Sequence, residues 1–234
     1  MKNIKVLTVL FFFVAVVEVV AEYFHYFPVI YVFKPLMPIM LMLLYTVHSS
    51  VRSAFFYVTL STSMLTNVFF ISKETEWLYY GLIIFMIHRV AKIIYIAKLI
   101  HLKDFVPVLI SSVPFLAIFF YIFYQTDLFD AKMYGIIAIH NVLISILGGM
   151  ALSDYVMNGN IGNEDNIANY NSNRSAWLLI CVLSFAMLHF IIFIEKFYIE
   201  LRMFRSMAMS LNAFAYYAFY RFVTAIEKDE RTVT

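Results

Sequence analysis

Apolar residues run along this chain in stretches of roughly twenty, each closed by a short polar group. A helix rising about 1.5 Å per residue needs about 20 such residues to cross about 30 Å of hydrocarbon. Inside lipid a segment has to satisfy its own backbone, so the runs are read as helices. The pattern predicts eight spans, at about 5–24, 29–47, 53–72, 77–98, 105–125, 132–153, 175–197 and 203–223. The last is the least apolar, framed by Arg202, Arg205 and Arg221 and rich in Ser, Asn and Tyr.

The breaks fall on helix stop signals: His25 to Pro28, His48 to Arg52, Lys73 to Glu76, Lys103-Asp104 and Asp127 to Lys132. The segment 158–174 holds seven asparagines with Gly159 and Gly162 and has no apolar face to bury, so it is predicted as a loop. The opening MKNIK followed by VLTVLFFFVAVV imitates a signal peptide, with Val19-Val20-Ala21 as its cleavage site. Because Glu18 interrupts the run and the later runs are equally apolar, it is read as a retained first helix. The fold class expected is all-α, a polytopic integral membrane bundle forming one domain over residues 1–234.

Composition agrees with that pattern and narrows the function classes. Hydrophobic residues make up 63% and charged residues 14% of the chain, a surplus that a water-soluble core does not absorb. A net charge of +2, with the basic residues at the ends of apolar runs rather than in a stripe, is too small to suggest a nucleic-acid partner, and none is expected. Basic residues divide between alternate sides as Lys2, Lys5, Arg52, Lys98, Lys103, Arg174, Lys228 and Arg231 against Lys34, Lys73, Lys132, Lys196, Arg202 and Arg205. The excess favours both termini in the cytoplasm. Many of the 17 tyrosines sit near span ends, as an interfacial belt requires. The single Cys181 forms no disulfide framework and is read as a buried thiol.

Ionisable groups within hydrocarbon cost about 2.5–3.5 kcal/mol each even on a lenient scale, so each needs a partner, a wet cavity or a function. The residues concerned are Glu18, Glu22, Asn67, His88, Arg89, Lys92, His140, Asn141, His189, Glu195 and Asn212. Glu18 and Glu22 are four residues apart and share a helix face. Two carboxyls in a low-dielectric setting do not both ionise readily, the condition for an acid that donates a proton at neutral pH; the alternative is that both are solvated at the headgroup level. Arg89 needs a counter-charge, and Glu18 or Glu22 is the expected one. His189 is either a satisfied core histidine or an acid or base. The histidines occur singly, so no metal site is expected, and no phosphate-loop, nucleophile-elbow or dinucleotide fingerprint is present.

The motif Tyr31-Val-Phe-Lys34-Pro35-Leu36-Met37-Pro38 resembles the Lys-Pro-Leu signature that opens the second span of the YhhN, or lysoplasmalogenase-like, family. The resemblance continues through Ser63 to Phe70, Gly81-Leu82-Ile-Ile-Phe85 and Ile144 to Leu152. It implies eight spans and hydrolysis of the vinyl-ether bond of a lysoplasmalogen, with no cofactor, on a lysophospholipid-like membrane lipid. By resemblance, Asn67 stands where the family has a third-span aspartate, Arg89 at the fourth-span histidine beside His88, His189 at the seventh-span aspartate and Tyr220 at the eighth-span glutamine. An alternative register of the seventh-span motif uses Ser153-Asp154. The implied roles are proton donor for Glu18 or Glu22, and orientation of water or headgroup for Asn67 and His189. Lys34, His88, Arg89 and Tyr220 would contact substrate, with Lys34 and Arg89 on its phosphate. Two other readings stand beside this one. The first is a lipid-binding or transport protein without turnover; the second is a structural protein in which Glu18, Glu22, Arg89 and His189 pair with one another.

Overall fold

The structure, a computed structural model, describes residues 2–72, 74–100, 102, 104–126, 131–159, 166–199 and 201–233. Eight helices follow one another: α1 Lys2–Tyr23, α2 Phe27–His48, α3 Ala54–Phe69, α4 Thr75–Leu99, α5 Val106–Tyr124, α6 Ala131–Gly159, α7 Asn166–Phe197 and α8 Arg202–Val233. Each overlaps the span predicted for it, and the described residues contain no strand.

Two of the predicted breaks are sharp reversals. His25 (φ 53°) and Arg52 (φ 49°) adopt the left-handed conformation, so the chain turns within three to five residues between α1 and α2 and between α2 and α3. The Asn-rich segment departs from expectation. It was predicted as a loop over 158–174, but α6 runs to Gly159 and α7 starts at Asn166; residues 160–165 lie outside the described residues. Extending a helix that a span has already nucleated adds one hydrogen bond per residue fixed, and Asn and Ser suit helix starts.

Neighbouring helices form a ring in the order α1, α2, α3, α4, α6, α7, α8, closed by α8 against α1. α5 lies outside it, against α6. Gly149 permits that approach: a Cβ there would lie 2.0 Å from Ser112 Oγ and 2.5 Å from the Val108 carbonyl oxygen. The ring interior is packed with side chains such as Phe11, Leu41, Phe56, Ile96, Cys181 and Phe219.

Five helices, α1, α2, α5, α6 and α7, contain segments long and apolar enough to cross a bilayer by themselves. The other three differ for reasons of position. α3 has 16 residues, or about 24 Å at the helical rise. α8 faces protein over most of its circumference, burying Ala208, Ala213, Ala215, Ala218, Phe219 and Phe222, so it does not need a lipid-compatible surface. α4 buries His88, Arg89 and Lys92 on its protein side. By contrast α1 and α5 expose Val9, Phe13, Val16, Leu109, Ile110 and Val113, the apolar surface a bilayer would cover. This is a multi-pass helical membrane bundle.

Candidate functional site

The polar residues singled out from the sequence fall into three places. The first lies where α1, α2, α3 and α8 meet, near the C-terminal end of α1. Glu18 is 0% and Glu22 1% exposed, so neither is solvated at a headgroup level. Glu22 Oε1 accepts from Lys34 Nζ at 2.6 Å. Arg205, at the start of α8, stands 3.9 Å from Glu22 Oε2 and 3.3 Å from Glu195 Oε1. Glu18 differs: both its oxygens are buried without a hydrogen-bond partner. Lys34, Glu22 and the Tyr216 hydroxyl are its electrostatic neighbours.

Asn67 belongs to this cluster, and the sequence explains its place. Pro38 has no N–H, so the Lys34 carbonyl four residues earlier lacks its helical partner. Asn67 Nδ2 donates to that oxygen at 3.3 Å. Its side chain, with that of Asn212, also reaches the Tyr216 hydroxyl, which bonds Ser63 Oγ. Tyr216 and Ser63 were not singled out as site residues; an eighth-span Tyr-Tyr pair reads as interfacial until α8 is known to face protein over most of its circumference.

The second place lies among α4, α6 and α7. Arg89 Nη1 donates to the His140 carbonyl at 2.7 Å, and Nη2 donates to His189 Nδ1 at 3.2 Å. The carboxylate partner expected for Arg89 is therefore wrong: Glu22 is engaged by Lys34, and Arg89 is held by a carbonyl and an imidazole on neighbouring helices. Since His189 Nδ1 accepts, its ring carries the hydrogen on Nε2 and donates to Asn141 Oδ1 at 2.9 Å. His88 Nδ1 donates to the Thr59 carbonyl at 2.8 Å, and His140 Nε2 to that of Leu82 at 3.0 Å. The Phe85 ring stacks on His88 and lies 4.4 Å from the Arg89 guanidinium carbon. His140 Nδ1 and Asn141 Nδ2 remain without partners.

These two clusters meet at one ring. Phe185 packs edge-on against Tyr216 at 5.8 Å, while Lys92 Nζ sits 3.6 Å from its centroid. The third place is separate. Tyr220 lies towards the end of the bundle that carries both termini, bonded to His48 Nδ1 and lining a cavity of about 600 Å³. Glu227, beyond the last predicted span, borders that cavity and accepts from Tyr45 and Ser49.

The family model described as the YhhN family matches residues 29–222. The chain belongs to the YhhN family. No curated protein and no solved structure gives a match. The YhhN match takes in Lys34, Asn67, His88, Arg89, His189 and Tyr220 but starts after Glu18 and Glu22. The unpartnered acid thus lies outside the stretch by which this YhhN protein is recognised.

Proposed function

We propose that this YhhN-family membrane protein is a lysoplasmalogenase-type hydrolase, opening the vinyl-ether bond of a lysophospholipid with Glu18 as proton donor. The observation supporting this is the fully buried Glu18 carboxyl, with no hydrogen-bond partner, beside the Lys34–Glu22 pair. Glu18 delivers its proton to the vinyl carbon remote from the ether oxygen. The oxocarbenium ion that results is stabilised by the Glu22 carboxylate. Water adds at the cationic carbon and returns a proton to Glu18. The hemiacetal then moves its hydroxyl proton to the glycerol oxygen and collapses to a fatty aldehyde and the glycerophospho-alcohol. Arg205, its side chain 32% exposed, marks the side from which water approaches.

Phosphate roles for Lys34 and Arg89 are not part of this reading, because Lys34 Nζ donates to Glu22 and the two Arg89 Nη atoms donate to His140 and His189. His189 and Asn67 act as positioning residues that hold α4, α6 and α7, and α2 and α3, together. A lipid-binding protein without turnover is the second reading. It is favoured by the absence of a carboxyl at Asn67 and His189, and by the engagement of the only His189 lone pair by Arg89. Incubation of the purified protein with lysoplasmenylethanolamine, with aldehyde measured by mass spectrometry, decides between them. The expected result is turnover that falls about 10²–10⁴-fold in Glu18→Gln, the usual contribution of a general acid. Wild-type protein that copurifies with lipid but releases no aldehyde supports the second reading and removes the first.

Both termini are proposed to face the cytoplasm. The burial of Lys34 against Glu22 supports this by removing one residue from the smaller group of flanking basic charges. Cysteine labelling at residue 3 from the external side of intact cells should give no product.

A further inference from the structure

At the end of the bundle that carries both termini, α1, the end of α2, α7 and α8 enclose the cavity of about 600 Å³. Arg174, Trp177, Tyr217, Tyr220, Arg221 and Lys228 line it. Cations and aromatic rings at the end of a membrane bundle commonly form a belt facing lipid headgroups. Here Lys228 stands at the exposed rim, while the others are half-buried or buried in the wall. Tyr220 is 2% exposed, and Arg174 Nε is buried without a hydrogen-bond partner. The Arg221 guanidinium carbon lies 4.7 Å from the Trp177 centroid and 5.9 Å from that of Tyr217, so the two rings orient it.

The charge around the cavity is unbalanced. Glu227 is the carboxylate in its lining, and its two oxygens accept from the Tyr45 and Ser49 hydroxyls at the α2 end. Among the described residues none of Arg174, Arg221 and Lys228 forms an ion pair. Two guanidinium groups and an ammonium therefore line one concave volume, with a buried Arg174 N–H that no group engages among the described residues. Planar guanidinium groups match the oxygens of a phosphate, and a lysine adds a point charge. Ile4 and Ala225 add apolar surface to the wall.

We propose that this cavity binds a phosphate group, either that of a phospholipid headgroup or that of a soluble phosphate. The proposal does not rest on the hydrolase reading, and its test reads a different residue. The chain has two tryptophans; Trp77 is at the start of α4, so in a Trp77→Phe background emission reports Trp177 alone. One arm titrates the protein in neutral detergent with inorganic phosphate and glycerol 3-phosphate, against sodium chloride at equal ionic strength. The other arm compares nanodiscs of phosphatidylcholine with nanodiscs containing increasing phosphatidic acid.

The expected result is a saturable change in Trp177 emission in at least one arm. In Arg174→Gln/Arg221→Gln its half-saturation point rises about tenfold or more, the loss of a charge-assisted hydrogen bond. Lys228→Gln, at an exposed position that does not endanger folding, shifts it about two- to fivefold. A response to the soluble phosphates identifies a free ligand, and a response confined to phosphatidic acid identifies a lipid headgroup. No saturable response in either arm, an equal response to sodium chloride, or a response unchanged in Lys228→Gln and the double variant overturns the proposal.

Discussion

The cluster around Glu18 and the network around Arg89 are built from similar material: buried ionisable and amide side chains on helices of one bundle. They differ in how their valences are used. In the network each Arg89 and His189 nitrogen that forms a bond meets a group on another of the helices α4, α6 and α7. In the cluster one acid is engaged by Lys34, and the other, Glu18, accepts no hydrogen bond. A buried polar group that is fully bonded ties helices together, whereas one left unbonded costs free energy and contributes no packing. The network leaves single atoms over, His140 Nδ1 and Asn141 Nδ2, on side chains that are otherwise bonded, whereas Glu18 leaves a whole carboxyl. A membrane domain retains such a group where it serves chemistry, which separates the α1 end of the ring from the α4, α6 and α7 side by role. The larger the bonding lost on substitution, the more structural the residue, and the comparison can be tested in that order.

Lys34→Met is expected to have the largest effect. It leaves Glu22 buried with only Arg205 at 3.9 Å, next to a second carboxyl. Removing one partner of a buried pair costs about 3–5 kcal/mol, to be measured by reversible unfolding in mixed detergent micelles. Adding Glu22→Gln should recover much of the loss. If Lys34→Met is nearly neutral, the cluster is wetter than its burial indicates and the contrast with the network fails. His189→Leu comes next. It leaves Arg89 Nη2 and Asn141 Oδ1 without their partner and should cost about 1–2 kcal/mol in the same assay, a typical interhelical hydrogen bond in a membrane. A loss below about 0.3 kcal/mol would show that the network does not hold the helices.

The helices were legible in the sequence because span length and polar breaks are local properties, fixed by bilayer thickness and backbone bonding. The composition of the site was equally legible, since a buried charge is conspicuous in an apolar run. Its pairing was not. Lys34 reads as a flanking charge and is in fact the partner of Glu22, because α1 and α2 turn back sharply through His25. Arg89 was assigned a carboxylate on charge alone, yet the ring puts α4 against α6, where a carbonyl and an imidazole are nearer. Asn67 could have been read further: Pro38 leaves a carbonyl free, and a buried amide is a suitable donor for it. Glu227 was missed because apolarity ends near residue 223 while the helix continues to Val233.

Glu18→Gln should change stability by less than about 1 kcal/mol, in either direction, while removing turnover, because no hydrogen bond is lost with the carboxyl. Unfolding and aldehyde release measured on the same preparation separate the two effects. A loss of more than about 2 kcal/mol would reveal a hidden partner and put Glu18 with the structural residues.

The smallest effect is expected at Lys92, which lies between the two regions. It is 2% exposed, and its ammonium faces the Phe185 and Phe219 rings at 3.6 and 5.4 Å. Among the described residues no carboxylate lies within ion-pair distance of it. Methionine follows the same unbranched path and keeps sulfur-to-ring contact with Phe185. Replacing a buried cation that has no counter-charge by an apolar side chain of similar volume removes a desolvation cost and sacrifices only the attraction of the rings. These nearly offset, so Lys92→Met should be neutral to stabilising, within about 1 kcal/mol. A loss above about 2 kcal/mol would mean that the ammonium has a further partner inside the ring. The two regions would then be one electrostatic unit joined through Phe185, and the Glu18 and Lys92 substitutions would be non-additive in a double-mutant cycle.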